Sequence, residues 1–330
     1  MSVQLPSHFS CADESAAAPW RDAARGGPQR VLVATLAAFD QISRACGIFE
    51  WVTLTYLGWL LLAMSLFHRN LPAAATCLLI HSGLFVAVLA LAWAAARWPS
   101  PALRFLRSWY FLPLWLFLFE ELTGLVHLIF PGWFDSWLIG FDHAFFGVYP
   151  WDWLAQFSSP ALTDFMQFAY MTYFLALIVL PAILYARGER HAFWAVLTSM
   201  ALAHYAVYVI AVLFPVESPF HAFPALQSAP LAGGPVTTLI DLIERFGRVR
   251  GAAFPSAHVA GAFAALLGAW RYRRWLFWAH LSLFALMIVS TVYGRYHYAA
   301  DGLAGLLVGA IAFWAGHRLM RGPATLPESC

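Results

Sequence analysis

Apolar residues of this chain are gathered into eight long runs, separated by shorter polar stretches. The runs lie at about 49–67, 72–96, 108–130, 163–186, 191–214, 256–271, 274–293 and 298–317. A helix needs about 20 apolar residues to cross about 30 Å of hydrocarbon. The pattern therefore predicts an all-α, polytopic membrane protein with about eight transmembrane helices, of which the sixth is the shortest.

The chain before the first run has a different character. Residues 1–30 are rich in Ala, Ser, Pro, Gly and charged residues, which predicts a flexible tail. They contain no apolar core like that of a signal peptide, so we expect the first membrane run to act as the insertion signal. Apolar residues recur at helical spacing over 31–42, which predicts a short helix on the membrane surface.

Composition supports the membrane class and limits the possible partners. Hydrophobic residues make up 62% of the 330 positions and charged residues 11%, whereas soluble domains are about half apolar and a quarter charged. A net charge of +2 does not favour a nucleic-acid partner. The four cysteines, Cys11, Cys46, Cys77 and Cys330, lack the spacing of a zinc site or a disulfide framework.

The distribution of arginines predicts the orientation. With a cytoplasmic N-terminus, the inner segments hold Arg21, Arg25, Arg30, Arg97, Arg104, Arg107, Arg187, Arg190, Arg271, Arg273, Arg274, Arg318 and Arg321. The outer loops hold Arg69, Arg245, Arg248, Arg250 and Arg295. By the positive-inside rule, both termini are cytoplasmic and the outer loops face the extracytoplasmic side.

A first cluster of chemistry-bearing residues lies at the start of the last run. His297 and Asp301 are four residues apart, so on a helix the carboxylate can hydrogen-bond one imidazole nitrogen and leave the other as a nucleophile. Arg295 precedes them and offers a planar fork suited to phosphate oxygens.

A second cluster lies at the start of the sixth run. Ser256 is a candidate N-cap, and the free N–H groups from Ala257 onwards would bind an anion. His258, in the first turn, is a candidate general acid. Arginine and helix dipoles would supply the positive charge, so we expect neither a metal nor a cofactor.

Each of these residues has a structural alternative. A single interfacial histidine is more often a hydrogen-bonded or solvated side chain than a catalyst. Asp301 can serve as a helix-start charge and Arg295 as an interfacial anchor. The convergence of two histidines, an arginine and an aspartate on one side of the membrane favours a site.

Other segments of the chain carry weaker signals. The loop 133–153 is rich in Trp, Phe and Tyr, and 238–246 has one apolar helical face. We interpret 238–246 as an interfacial helix that covers the site and admits lipid sideways, the alternative being that both loops form only an aromatic belt. Glu120 and Glu121 predict a polar helix contact or a proton or substrate path. Gly305 and Gly309 predict close helix packing.

Two motifs resemble those of the type-2 phosphatidic acid phosphatase superfamily. They are Phe254–His258 and Ser290–Asp301. Within the superfamily, the sequence is most similar to the branch that contains fungal inositol phosphorylceramide synthase and its bacterial relatives. Phe141–Gly147 and Phe168–Phe174 are also similar to that branch, and the resemblance covers about 135–318.

The resemblance implies a six-helix catalytic bundle and a phospho-histidine intermediate. By motif, His297 is the nucleophile, Asp301 its partner and His258 the acid. It also implies that two transmembrane helices, at about 49–96, are additions to the bundle. Together with the apolar pattern, the expected organisation is a flexible tail at 1–30, an interfacial helix and two accessory transmembrane helices at 31–104, the catalytic bundle at 105–321 and a tail at 322–330. The expected substrate is a lipid phosphate or phospholipid, and the expected location is a bacterial inner membrane.

The chain departs from the superfamily at two motifs. Thr291 stands six residues before His297, where the third motif usually has arginine. The synthase-like branch also lacks that arginine, and Arg295 is a candidate for its role. The first motif, a Lys or Arg ahead of an Arg-Pro pair, is not visible around 214–221. Three residues are candidates for the missing phosphate-binding base: Arg248, Arg250 and His221.

The expected function is a lipid phosphatase or phosphotransferase that acts at the extracytoplasmic face and can transfer an inositol-phosphate-type headgroup to a lipid hydroxyl. Two alternatives stay open. One is a simple lipid or isoprenyl (di)phosphate phosphatase, which shares the first half-reaction. The other is a non-catalytic membrane protein or transporter that binds an anionic lipid.

Overall fold

The computed structural model describes residues 40–98, 100–228, 231–247 and 249–321. The chain divides into a unit that ends at Ala45 and a unit that begins at Cys46. In the first unit, residues 40–45 are helical, and Arg44 forms an ion pair with Asp40 at 2.9 Å. The predicted tails and most of the predicted surface helix lie outside the described residues.

Helices joined by turns and loops build the second unit. In chain order they are α1 (Ile48–Leu66), α2 (Ala74–Arg97), α3 (Pro101–Trp109), α4 (Phe111–Glu120), α5 (Leu122–Leu125), α6 (Asp135–Phe146), α7 (Pro150–Ala155), α8 (Pro160–Ala186), α9 (Arg190–Leu213), α10 (Pro219–Ala222), α11 (Pro224–Ser228), α12 (Pro235–Gly247), α13 (Ala257–Tyr272), α14 (Arg274–Tyr293) and α15 (Ala299–Leu319). The described residues contain no β-strand, only a bridge between Val216 and Ala252. The predicted all-α class is confirmed.

Six helices in the described part of the chain are long and apolar enough to cross a membrane. They are α1, α2, α8, α9, α14 and α15. Each coincides with one of the predicted runs, which confirms the polytopic membrane class. The two remaining runs, 108–130 and 256–271, form shorter helices.

The run at 108–130 is a broken segment instead of one continuous helix. One helix ends at Trp109 and the next begins at Phe111, with Pro113 in its first turn. Proline has no N–H to donate to the carbonyl four residues earlier, here Trp109, and its ring clashes with that carbonyl. A second interruption at Glu121 separates α4 from α5.

The sixth run forms α13, a 16-residue helix rich in Ala and Gly that packs against α8, α9, α14 and α15. Two glycines of α15 allow its close approach. A Cβ added at Gly305 would lie 2.8 Å from the Ser256 carbonyl oxygen, and one added at Gly309 would lie 2.6 Å from that of Ala260. The predicted close packing at this glycine pair is confirmed, and it brings the N-termini of α13 and α15 together.

The first two helices lie against one side of the other helices. Only 11% of the apolar segment of α2 is buried, and α2 packs on α1, which contacts α9. A buried ion pair of 2.7 Å joins Glu50 of α1 to Arg107 of α3. His81 of α2 lies 2.9 Å from Glu121 at the α4–α5 turn. Buried polar groups thus connect this helix pair to α3 and α4.

A helix, α12, is present where the sequence predicted an interfacial helix at 238–246. Its N-terminus is held by the carboxylate of Asp164 on α8, which accepts hydrogen bonds from the N–H groups of Gly234 (2.8 Å) and Thr237 (2.9 Å). Ile240 is buried, whereas the apolar side chain of Leu239 is 58% exposed. An exposed apolar face on a helix fixed at one end is typical of contact with lipid.

Candidate active site

A tight turn between α14 and α15 positions His297. The backbone N–H groups of Tyr296 and His297 donate to the carbonyl of Thr291 at 3.0 and 3.1 Å. Arg295 takes the left-handed conformation, with φ of 63°. His297 is 5% exposed, so the turn points this imidazole into the protein.

His297 lies between Asp301 and Ser256. Its Nδ1 is 3.2 Å from the Asp301 carboxylate, and its Nε2 is 3.1 Å from the Ser256 hydroxyl. An ionised carboxylate can only accept, so the proton belongs on Nδ1 and the lone pair on Nε2. The predicted pairing of His297 with Asp301 is therefore present, and Nε2 points to the start of α13.

The start of α13 is capped as predicted. The Ser256 hydroxyl accepts from the Val259 N–H at 3.3 Å, and the Ser256 N–H donates to the Asp301 carbonyl at 3.0 Å. This second bond links the two helix starts directly. The partial positive charge of the α13 N-terminus, including Ala257, thus lies beside His297.

Tyrosines surround His258. The hydroxyl of Tyr170 on α8 is 2.9 Å from His258 Nε2. The Tyr170 ring also stacks on Tyr296 at 4.7 Å, and Tyr173 contacts the His258 ring at 4.5 Å. The two histidine rings are 5.8 Å apart, centre to centre. Tyr170 holds one nitrogen of His258 at a fixed position relative to His297.

A cavity of about 70 Å³ opens beside the two histidines. Phe119, Tyr170, Ala257 and Tyr296 form part of its wall, together with residues from the loops that follow α9 and α12. This space is bounded by two imidazoles and a helix N-terminus, which is an arrangement suited to an anionic oxygen.

Two aspartates of α6 support the turn from outside. Asp142 accepts hydrogen bonds from the N–H groups of Ala299 and Ala300, both at 2.9 Å. Asp135 accepts from the Tyr298 hydroxyl at 2.9 Å. Burial raises the pKa of both carboxyls, and the hydrogen bonds they accept oppose that change. Neither aspartate was predicted to belong to the site, although the stretch Phe141–Gly147 carries part of the family resemblance.

The residues predicted to bind phosphate do not all gather at the cavity beside the two histidines. Arg295 is 9% exposed and does not line the cavity. Burial lowers the pKa of its guanidinium, and the negative charge of Asp152 partly offsets that effect. Arg250 pairs with Glu217 and stacks over Trp133. His221 Nδ1 lies 3.0 Å from the Ser218 hydroxyl. Arg248 lies outside the described residues.

Thr291 occupies the position where the superfamily usually has arginine. It is fully buried, and its hydroxyl donates to the Ile288 carbonyl at 2.7 Å. Its carbonyl accepts the two backbone hydrogen bonds of the His297 turn, so Thr291 has a structural role in holding that turn. Over the ranges that the structure describes, no group of three His, Cys, Asp or Glu side chains is arranged to hold a metal ion.

The fold and the site together define a helical membrane protein with two histidines at one end of its bundle. Residues 136–315 match the PAP2 superfamily. The match covers more than half of the chain, and the chain belongs to this superfamily. Membership supports a phosphatase-type function on lipid. No curated protein and no solved structure matches the chain.

Proposed function

We propose that the protein breaks a phosphoester bond of a lipid through a phospho-histidine intermediate on His297. The observation that carries the proposal is the fixed orientation of His297, with Nδ1 against Asp301 and Nε2 toward Ser256 and the α13 N-terminus. A base held in one tautomer by a carboxylate is the general arrangement of an activated nucleophile.

In the first half-reaction, Nε2 of His297 forms a bond to phosphorus and the bond from phosphorus to the lipid oxygen breaks. His258 gives its proton to the leaving oxygen. In the second half-reaction, water or an alcohol gives a proton to His258 and attacks phosphorus, and the nitrogen–phosphorus bond breaks. After the two displacement steps at phosphorus, His297 is free and His258 is protonated again, as at the start.

Charge that develops on the phosphoryl oxygens requires compensation. The backbone N–H groups that begin α13, from Ala257 onwards, are the nearest candidates. In this proposal, Arg295 and Arg250 add positive charge from the surrounding turns, together with Arg248 and His221. The mechanism uses no metal ion.

The second half-reaction decides between hydrolysis and transfer. We propose that transfer of a phospho-headgroup to a lipid hydroxyl accompanies hydrolysis, on the basis of the synthase-like motif around His297. The arginine distribution favours an extracytoplasmic site, and the resemblance to bacterial relatives of the synthase branch favours a bacterial inner membrane. Residues 105–321 would form the catalytic bundle, with the helices at 31–104 as accessory elements.

The test is phosphate release by the purified protein in detergent, with phosphatidic acid and an isoprenyl diphosphate as substrates. We expect release by the wild type and none by His297→Ala. A second assay with phosphatidylinositol and a lipid alcohol detects transfer. Full activity of His297→Ala would eliminate the phospho-histidine mechanism. Lipid binding without turnover, insensitive to that substitution, would favour a binding protein.

A further inference from the structure

An apolar groove leads from the outer surface of the helices to the candidate active site. It is lined by α4, α8 and α12 and has a volume of about 380 Å³. The groove shares Phe119, Tyr170, Ala257 and His258 with the cavity beside His297. The two spaces are therefore neighbours, joined at the ring of the proposed general acid.

The outer part of the groove faces the region that lipid occupies. Leu116 of α4 is 56% exposed, Phe174 of α8 43%, and Ile243 of α12 49%. In a membrane protein, large exposed apolar side chains on helices of this kind contact hydrocarbon. A lipid chain can thus enter the groove sideways while its polar end reaches His258.

A carboxylate interrupts the largely apolar wall of this groove. Glu120, the last residue of α4, is the one carboxylate among the described residues that line the groove. Its side-chain carboxylate forms no hydrogen bond or ion pair with any of the described residues. Its neighbour Glu121 instead lies 2.9 Å from His81. The two glutamates therefore differ: Glu121 connects helices, and Glu120 faces the groove.

A carboxylate in apolar surroundings is costly unless it receives hydrogen bonds. When a lipid fills the groove and displaces water, Glu120 loses its solvation. A lipid that carries a hydrogen-bond donor replaces the hydrogen bonds that water gave to the carboxylate. A lipid without a donor leaves the carboxylate without a hydrogen bond. Sites of this type discriminate strongly against analogues that lack the hydrogen-bonding group.

We propose that the groove binds the lipid alcohol of the reaction and that Glu120 selects alcohols with a second hydrogen-bond donor. This donor is a hydroxyl or amine close to the oxygen that His258 protonates or deprotonates. The inference rests on the proposed function for the reacting oxygen, but the recognition itself is a binding property. Isoprenoid and simple fatty alcohols, which carry one hydroxyl, bind more weakly but still fit the groove, so their phosphate esters remain substrates.

The test measures binding of three saturated lipids to the purified protein by competition with a fluorescent lipid. Hexadecanol has one hydroxyl, 1-O-hexadecylglycerol has two, and sphinganine adds an amine. We expect the wild type to bind one or both of the latter about tenfold more tightly than hexadecanol. Preference for hexadecylglycerol identifies a hydroxyl as the donor, and preference for sphinganine alone identifies the amine.

We expect Glu120→Leu to bind the three lipids with about equal affinity. Glu121→Gln should keep the preference of about tenfold over hexadecanol, because Glu121 does not line the groove. Glu120→Gln keeps the shape of the side chain and is the second variant if the leucine variant aggregates. Equal binding of the three lipids by the wild type, or a preference that survives both Glu120 substitutions, would overturn the inference.

The two hypotheses fail separately, because binding is measured without turnover. An active enzyme that binds the three lipids alike refutes the role of Glu120 alone. A protein that prefers the second donor through Glu120, yet releases phosphate equally well after His297→Ala, refutes only the mechanism.

Discussion

His297 illustrates how much of the site depends on single hydrogen bonds. Asp301 contacts its Nδ1 at 3.2 Å and also accepts from the Tyr298 N–H at 2.8 Å. One carboxylate therefore fixes both the tautomer of the imidazole and the start of α15. Spacing alone predicted the first contact, since residues four apart share a helix face.

Asp301→Asn tests the role of the carboxylate charge. One Asp301 oxygen, Oδ2, accepts from the Tyr298 N–H and contacts Nδ1 of His297, so the amide oxygen can keep both contacts. The variant loses the negative charge that stabilises the positive charge on the imidazole when Nε2 bonds to phosphorus. We expect kcat for phosphate release to fall by about 10²- to 10⁴-fold with little loss of thermal stability. An asparagine variant with wild-type kcat would show that the carboxylate does not control His297.

Tyr170→Phe tests the contact with His258. The substitution removes the hydroxyl that lies 2.9 Å from Nε2 and keeps the ring that stacks on Tyr296. We expect kcat to fall by about tenfold, because His258 loses the partner that orients it.

Tyr173→Phe is the matched control for that substitution. Tyr173 also packs on the His258 ring, but its hydroxyl bonds to His204. This variant should keep its activity and lose about 1 kcal/mol of stability. Equal losses of activity in both variants would indicate a packing effect and not orientation of His258.

At the level of elements, apolar periodicity predicted most helices and the sequence left the contacts between them open. The runs that became α8, α9, α14 and α15 were visible because membrane-spanning helices, whether they face lipid or other helices, must be apolar along their length. The division of 108–130 was less visible, although Pro113 was its signal. The hydrogen bond from the Ala299 N–H at the start of α15 to Asp142 joins residues 157 positions apart, and no local pattern reports such a tertiary contact.

The α13–α15 packing gives a stability prediction at this scale. Gly309→Ala places a Cβ 2.6 Å from the Ala260 carbonyl oxygen, which belongs to helix backbone and cannot move aside easily. We expect a loss of about 1–3 kcal/mol, measured as a lower midpoint of thermal unfolding in detergent.

Gly302→Ala is the control on the same helix. Its nearest neighbour would be the Ile288 Cγ2 at 3.7 Å, an ordinary van der Waals contact. It should be neutral or slightly stabilising, because alanine favours the helix over glycine. If the two variants unfold alike, the close approach of α13 and α15 does not limit stability.

For the whole molecule, the helix directions place the candidate site at one end and the arginine-rich segments at the other, although Arg250 and Arg295 belong to the turns and loops at the end that holds the site. The site lies where α13 and α15 begin, and Arg273, which pairs with Glu189, lies between the end of α13 and the start of α14. The orientation prediction rests on this separation between the candidate site and the arginine-rich segments. By the positive-inside rule, we predict that the arginine-rich end is cytoplasmic and that His297 lies on the other side of the membrane.

Cysteine labelling measures that orientation. In a background without the four native cysteines, Ala232→Cys marks the end that holds His297, and Gly188→Cys marks the arginine-rich end; both positions are exposed. We expect a membrane-impermeant maleimide to label intact cells of the first variant only, and both variants after lysis. Labelling of Gly188→Cys alone in intact cells would place the site in the cytoplasm. The lipid acted on would then belong to the inner leaflet, although the hydrogen bonds around His297 would support the same chemistry.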